Sequence, residues 1–155
     1  MKLINSNIID SVDFHNGKPI ISIVTIVKNG VQTLEKTIKS VIEQDYCNIQ
    51  YIVIDGGSND GSVEIIKKYN NNIDYWISEP DEGISNAFNK GIKKAKGKIV
   101  GTINSDDWYE NNIISYMARI YDEKDPDVLV GKMKYWSGNV PDYIYDARPE
   151  KLDKE

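Results

Sequence analysis

The chain has 155 residues, enough for one ordinary domain and too few for two. Hydrophobic residues make up 40% and charged residues 28%, a composition that supports a folded core and excludes intrinsic disorder. The net charge of −5 argues against a nucleic-acid-binding protein, whose binding face is normally basic. Cys47 and His15 are the only residues of their types, which excludes an intrachain disulfide and any metal site built from several cysteines or histidines.

The pattern of apolar residues predicts neither a membrane span nor a secretory signal. The longest apolar run covers 20–27 and is interrupted by Ser22 and Thr25. A bilayer crossing requires about 20 apolar residues. Residues 1–18 lack periodicity, and we interpret them as an N-terminal extension.

From residue 20 onward, strand and helix patterns alternate. Continuous β-branched or apolar runs predict strands over 20–27, 49–55, 74–78, 98–104 and 127–131, with an alternating strand over 132–137. Apolar residues at helical spacing predict helices over 31–42, 63–69, 84–95 and 111–121, and Gly97 is expected to end the third. This order predicts an α/β fold with a mostly parallel sheet flanked by helices.

In such a sheet, ligands bind beyond the carboxyl ends of the strands. Asp55 ends a predicted strand and precedes two glycines, so it can accept a hydrogen bond from a ligand N–H group. The alternative is an aspartate that serves only the turn or caps the next helix.

Asn104-Ser105-Asp106-Asp107 follows another predicted strand. Two adjacent carboxylates repel each other, and a divalent cation such as Mg²⁺ or Mn²⁺ relieves that repulsion. The alternative is that one aspartate caps the helix that follows. Trp108, directly after the pair, could stack on a base or a sugar, although tryptophans more often belong to the core.

The segment 81–91 places Asn86, Asn89 and Lys90 on the first turns of a helix after a strand. Such residues can face a ligand and its phosphates, or can simply form a solvated helix face.

Together and in this order, these motifs resemble the family 2 glycosyltransferases with the GT-A fold. The resemblance lies in ISIVTIVKNG (21–30), IVIDGGSNDGS (52–62), the segment 77–109 and DVLVG (127–131). It implies an inverting transfer of sugar from a nucleotide-diphosphate sugar, usually a UDP-sugar, to an acceptor hydroxyl on a glycan or a lipid-linked molecule. It also implies a divalent metal, Mn²⁺ or Mg²⁺, and a cytoplasmic location, at most peripheral to the inner face of the membrane.

Carried over residue by residue, the resemblance implies that the nucleotide-sugar pocket is formed by Thr25, Lys28, Asn29, Asp55, Gly57, Asp81, Gly83, Asn86, Asn89, Lys90, Asn104, Ser105 and Asp106. Asp55 matches the aspartate that binds the nucleotide base, usually uracil. The segment 104–107 matches the "DXD" metal position, where Asp106 would contact ribose or metal and Asp107 the metal.

The sequence departs from the family after Trp136. The usual acidic general base has no recognisable counterpart there, and Asp142 and Asp146 are weak candidates. The acceptor half of the fold is expected to be missing. We therefore expect an extension over 1–18, a nucleotide-sugar-binding domain over 19–138, and a tail or the start of a truncated acceptor region over 139–155.

Other departures lie in the pocket. Gly56 stands where many members have an aspartate, while Asn86 and Asn104 replace acids and could weaken metal affinity.

Three functions compete at this point. The first is a glycosyltransferase domain acting in surface polysaccharide synthesis. The second is a degenerate transferase that binds nucleotide without catalysis. The third is a nucleotidyltransferase, for which Lys28-Asn29-Gly30 is a poor substitute for the expected glycine-rich basic loop. Apolar surface left by a missing acceptor half would favour a homo-oligomer.

Overall fold

The computed structural model describes residues 14–15, 18–137 and 140–145. The chain divides into two units, Met1–Ala118 and Arg119–Glu155. The strands are β1 (Phe14–His15), β2 (Lys18–Pro19), β3 (Ile21–Val27), β4 (Ile49–Asp55), β5 (Tyr75–Ser78), β6 (Ile99–Asn104), β7 (Met133–Ser137) and β8 (Val140–Tyr145). The helices are α1 (Leu34–Ile42), α2 (Ser62–Lys68), α3 (Ile84–Ile92) and α4 (Ile113–Lys124), with a short 3-10 helix at Asn70–Asn72.

The first unit is built on a four-stranded sheet in the order β5-β4-β3-β6, and every neighbouring pair is parallel. This confirms the predicted α/β class. The chain runs outward from β3 through β4 to β5 and then returns to β6 on the other side of β3. Because parallel crossovers are right-handed, this reversal places the later crossover helix on the opposite face.

Side-chain alternation along the strands produces two separate apolar clusters. Ile23 and Val53 face α1 and α2, in a cluster that includes Leu34 and Ile66. Their immediate neighbours in the strands point to the other face, where α3 contributes Ala87. The sheet is therefore covered on both faces, and the strand order reverses between β3 and β6. Such a reversal point is where open α/β sheets bind ligands.

Glycines allow α3 and the segment that follows it to lie close to β3. A Cβ on Gly91 would collide with Val24, so a larger residue would separate the helix from the sheet. Gly97 was expected to end α3, but the helix ends earlier, at Ile92. Gly97 instead lies against β3, where a Cβ would come 2.6 Å from the Ile20 carbonyl oxygen.

The strand expected over 127–131 is wrong, because these residues have no strand conformation. Val128 is 71% exposed and Val130 57% exposed. A β-branched sequence forms a strand only where a partner strand supplies backbone hydrogen bonds, and the described part of the chain pairs none with this segment.

Two pairs of strands were not expected. β1 and β2 pair antiparallel at the end of the expected N-terminal extension, through Phe14↔Pro19 and His15↔Lys18, with Pro19 just beyond its limit. In the second unit, β7 pairs antiparallel with β8, across the domain boundary that we expected at residue 138. In sequence, Gly138-Asn139 lies between them, and this dipeptide is typical of two-residue hairpin loops.

Candidate functional site

The loop after β3 is joined to the loop after β4 by hydrogen bonds in both directions. Asn29 has a positive φ of 54° and donates its N–H to Ser58 Oγ at 2.7 Å. Its side-chain Oδ1 accepts the Asn59 N–H at 3.0 Å. The Val31 N–H donates to Asp60 Oδ2 at 2.9 Å. The pKa of Asp60 is lowered, chiefly by the Ser62 hydroxyl, so its carboxylate remains charged while it bridges the two loops.

Asp55 ends β4 and is 0% exposed. Its Oδ2 accepts the N–H groups of Gly57 and Ser58 at 3.1 and 2.9 Å and the Ser78 hydroxyl at 2.6 Å. Its Oδ1 accepts the Ser58 hydroxyl. The carboxylate thus orders its own turn and ties β4 to β5. This arrangement supports the turn interpretation and does not test the expected contact with a base.

The loop after β5 lies directly on the glycine pair that follows Asp55. A Cβ on Gly56 would collide with the Asp81 carboxylate, and one on Gly57 would come 3.3 Å from the Pro80 nitrogen. Asp81 Oδ1 accepts the Gly83 N–H at 2.9 Å, at the start of α3. Gly56 therefore leaves the space that Asp81 fills.

Lys90 on α3 holds the same loop from the other side. Its Nζ lies 2.8 Å from Glu79 Oε1 and donates to the Pro80 carbonyl oxygen at 3.1 Å. This lysine was predicted to contact a nucleotide-sugar. In the structure it supports the loop that would form that contact.

The loop after β6 approaches the loop after β3 through Ser105 and Gly30. A Cβ on Gly30 would come 2.9 Å from Ser105 Oγ. Asp106 and Asp107 follow at the surface, and the Asn104 amide lies 3.5 Å from Asp107 Oδ2. Burial and, secondarily, the Asp106 charge raise the pKa of Asp107. The contribution from Asp106 has the sign expected of two adjacent carboxylates.

These two carboxylates fit a shared divalent cation, because a positive ion would relieve the repulsion between them. Within the part of the chain that the structure describes, no group of three or more acidic, cysteine or histidine residues forms a complete metal site. An ion here would need further oxygen ligands. Mg²⁺ sites commonly obtain them from water and from substrate phosphates.

The structure brings most of the predicted residues to one edge of the sheet. The four strand-end loops contact one another in strand order, with Asn86 half-buried and Asn89 exposed on the early turns of α3. Thr25 is the exception. It is 0% exposed inside the sheet, and its hydroxyl lies 3.0 Å from the Tyr51 hydroxyl, because it occupies a position within β3 and not at its end. Thr25 is therefore not brought into the pocket.

Asp142 lies in β8, and only its backbone is described, while Asp146 lies outside the described residues. Lys28, directly after β3, and Gly83, directly before α3, are both exposed.

Sequence reasoning missed the serines that organise these loops. Ser58 and Ser78 both donate to Asp55, and Ser62 donates to Asp60. Aspartate and serine are both residues that favour turns, and they lie close together in Asp55–Ser58 and Asp60–Ser62. The Ser78 contact joins separate strands and leaves no such local signal.

Trp108 is half-buried, and Lys36 Nζ lies 3.0 Å from its ring centroid. One ring face is therefore covered by a cation. An open groove of about 530 Å³ runs beside this pair; it is lined by Gln32, Glu35, Lys36, Lys39, Ser40, Glu43, Trp108, Tyr109 and Asn111.

Comparison with known proteins identifies the family. The family model described as Glycosyl transferase family 2 matches residues 22–154. The chain belongs to this family. It is 35% identical to an uncharacterised glycosyltransferase of Mycobacterium tuberculosis over 124 residues, which cover 79% of this chain and 42% of that protein. It is 33% identical to glycosyltransferase GlyG of Streptococcus pneumoniae, over 72% of this chain and 38% of that protein.

Solved structures show the same fold. S. aureus TarS 1–349 in complex with UDP-GlcNAc matches with a TM-score of 0.64 at 22% identity, over 68% of this chain and 32% of that chain. The Pyrobaculum calidifontis mannosyltransferase PcManGT, in complex with GDP-Man and Mn²⁺, matches with a TM-score of 0.59 at 20% identity, over 65% and 31%. The family and the GT-A-type fold expected from the motifs are thus confirmed. The chain spans less than half the length of these relatives.

Proposed function

We propose that this chain is the nucleotide-sugar-binding part of a glycosyltransferase, and that it holds a nucleoside-diphosphate sugar, preferably a UDP-sugar, at the carboxyl edge of its sheet. The observation that carries the proposal is the convergence of four loops at this edge, with the exposed acids Asp106 and Asp107 beside the strand reversal. The reversal alone would indicate only a ligand site. The acid pair gives that site a chemistry suited to a metal-bound diphosphate.

The spacing of the strands is compatible with a nucleotide that lies across the carboxyl edge of the sheet. Asp55 ends β4 and the acid pair follows β6, with β3 between them. Strands lie about 4.8 Å apart, so the two positions are separated by roughly 10 Å. A nucleoside diphosphate can bridge such a span, with its base near the Asp55 turn and its diphosphate near Asp106 and Asp107.

Each residue then has a defined task. Asp106 and Asp107 supply the negative oxygens that hold a divalent cation together with the diphosphate. When bound, that cation supplies positive charge that offsets the charge on the leaving diphosphate. Asn29, Asp81 and Lys90 fix the loops around the nucleotide through the contacts described above. The TarS and PcManGT complexes, which contain UDP-GlcNAc and GDP-Man with Mn²⁺, support this choice of ligand class.

Transfer with inversion also requires a group that accepts the proton of the attacking hydroxyl. Asp142 and Asp146 remain our candidates for this base. The domain limits at 19–138, the acceptor glycan or lipid-linked molecule, the role in surface polysaccharide synthesis and the cytoplasmic location all belong to this proposal. No helix among the residues that the structure describes has the length and apolarity to cross a bilayer.

Calorimetric titration tests the proposal directly. UDP is titrated into the chain with Mn²⁺ and with EDTA, and the experiment is repeated on Asp106→Ala/Asp107→Ala. We expect metal-dependent binding that the double variant loses. Asp122→Ala/Glu123→Ala, an adjacent acid pair on α4, makes the same charge change and should bind as the wild type does. Binding that is equal with Mn²⁺ and with EDTA would overturn the metal assignment.

The degenerate-transferase alternative makes a different prediction from the same preparation. A chain that binds UDP with Mn²⁺ but neither hydrolyses nor transfers the sugar of a bound donor would fit that alternative. Measuring the release of sugar from UDP-sugar donors distinguishes an active transferase from a degenerate one. GDP is the control for the identity of the base, because preferential binding of GDP would indicate a GDP-sugar donor in place of a UDP-sugar.

A further inference from the structure

Helix α1 carries a polar stripe beside its apolar one. Thr37, Ser40 and Gln44 recur at intervals of three and four residues, the spacing that places side chains on one helical face. The neighbouring stripe, with Leu34, is packed in the core. None of the three polar residues was singled out from the sequence. All three contact the segment that follows β6.

Thr37 makes the most specific of these contacts. It is 1% exposed, and its Oγ1 lies 2.8 Å from the Ser105 carbonyl oxygen and 2.6 Å from the Asp107 carbonyl oxygen. A hydroxyl has a single proton, so the two carbonyls share one donor. These carbonyls belong to the residues on either side of Asp106. Thr37 therefore sets the backbone path through the acid pair.

Ser40 and Gln44 extend this support along the chain. Ser40 Oγ accepts the Tyr109 N–H at 3.1 Å and donates to the Thr37 carbonyl oxygen at 2.8 Å. Gln44 donates through Nε2 to the Glu110 carbonyl oxygen at 3.0 Å, and its Oε1 accepts the Ile114 N–H at 3.2 Å. The polar stripe thus holds backbone groups from residue 105 to residue 114.

This segment needs such support because it lies between regular elements. β6 ends at Asn104 and α4 begins at Ile113. Between them, the Asp107 N–H donates to the Asn104 carbonyl oxygen at 3.2 Å in a single turn. Because this segment belongs to neither a strand nor a helix, its buried backbone groups need hydrogen-bond partners from another element. Helix α1 provides them.

We propose that Thr37, Ser40 and Gln44 are positioning residues that fix the carboxylates of Asp106 and Asp107 in the arrangement needed to bind a divalent cation with a diphosphate. This inference rests on the proposed function and adds residues to the same site. The groups that orient metal ligands typically change metal affinity by 10- to 100-fold when they are removed. Thr37 is the critical member, since it contacts both sides of Asp106.

The test compares Thr37→Val, which keeps the branched shape and removes the hydroxyl, with Thr37→Ser, which keeps the hydroxyl. Ser22→Ala is the matched control. Ser22 is likewise buried, at 0% exposed, and its hydroxyl accepts the Lys96 and Gly97 N–H groups at 3.2 and 2.8 Å, at the opposite end of β3. For each variant we would measure thermal unfolding, the Mn²⁺ dependence of UDP binding, and hydrogen exchange over residues 105–112.

We expect Thr37→Val to weaken Mn²⁺-dependent UDP binding by about tenfold or more and to speed exchange over 105–112. Thr37→Ser should bind within about threefold of the wild type, and Ser22→Ala should lose stability without losing binding. If Thr37→Val binds Mn²⁺ and UDP as the wild type does, the positioning role is wrong while the proposed function stands.

A wild-type chain that fails to bind nucleotide would instead contradict the proposed function. The exchange measurement still decides the positioning role in that case. Unchanged exchange over 105–112 in Thr37→Val would overturn it, and faster exchange confined to that segment would support it.

Discussion

Asp55 was predicted to bind a ligand, but its carboxylate is hydrogen-bonded by groups of its own chain. Its carboxylate accepts two backbone N–H groups and two serine hydroxyls, and no part of the residue reaches solvent. A buried carboxylate is stable only when its hydrogen-bonding capacity is met, and here the loops after β4 and β5 meet it. Its first role is to shape the edge on which the proposed nucleotide rests.

Replacing Asp55 with alanine should therefore lower the free energy of unfolding. We expect a loss of about 2–4 kcal/mol, because several buried donors lose their acceptor. Asp74→Ala is the matched comparison, since Asp74 is exposed and its Oδ2 accepts the Tyr51 backbone N–H at 2.7 Å. Urea unfolding measures both variants. A loss for Asp55→Ala no larger than that for Asp74→Ala would contradict the structural role.

Asp55→Ala also distinguishes a role in shaping the loops from a role in binding the nucleotide base. If Asp55 contacts the base, Asp55→Ala should weaken binding of UDP more than binding of pyrophosphate. Equal losses of affinity for UDP and for pyrophosphate would show that Asp55 stabilises the turn and does not contact the base.

At the scale of elements, α1 joins the core, the neighbouring helix and the proposed metal loop. Its apolar stripe packs on the sheet, and its polar stripe holds the segment after β6. Glu35 faces α2, with Oε1 2.8 Å from Lys68 Nζ and 2.6 Å from the Tyr69 hydroxyl. These hydrogen bonds, Lys68 first, lower the pKa of Glu35 from its usual 4.5 to about 2.

Stability should consequently depend on pH through Glu35. A carboxyl whose pKa is lower in the folded state stabilises the fold above its unfolded value and loses that contribution as pH falls from about 4.5 towards 2. Glu35→Gln should thus be less stable than the wild type at pH 6, with a difference that shrinks at pH 2.5. The effect is small because the pair is exposed to solvent.

Urea midpoints at the two pH values measure this difference. Glu64→Gln, on α2, controls for the change in net charge. A difference between Glu35→Gln and the wild type that is the same at both pH values would show that the link between α1 and α2 does not act through the charge of Glu35.

At the scale of the whole molecule, ligand binding and stability are coupled. A ligand that binds only the folded state raises the free energy of unfolding by about 2.7 kcal/mol at 100 times its dissociation constant. For a protein of this size, each kcal/mol raises Tm by about 2–4 °C. UDP with Mn²⁺ should thus raise Tm by about 5–10 °C.

EDTA should remove most of that shift, since the proposed diphosphate contact depends on the metal. Differential scanning calorimetry measures the change, and uridine without phosphates is the control. A shift of the same size with EDTA present would place the nucleotide away from Asp106 and Asp107.

Much of the fold could be predicted because its signals are local. The β-branched run of β3 and the helical stripe of α1 identify their elements without knowledge of any partner. The polar residues at the strand ends could be predicted for the same reason. Asp55 ends its strand, and Asp81 and Asp106 lie shortly after theirs in sequence; parallel strands place such residues at one edge.

Only the tertiary structure decided which of these residues are buried and what they contact. The sequence of 127–131 has the composition of a strand, but none of the strands in the described ranges pairs with it. Thr25 resembles a pocket residue, yet its position within β3 places it against Tyr51. The contact between Thr37 and Asp107 joins residues 70 positions apart. Periodicity encodes which face of an element is apolar, whereas such contacts depend on how separate elements pack, and no local pattern records that.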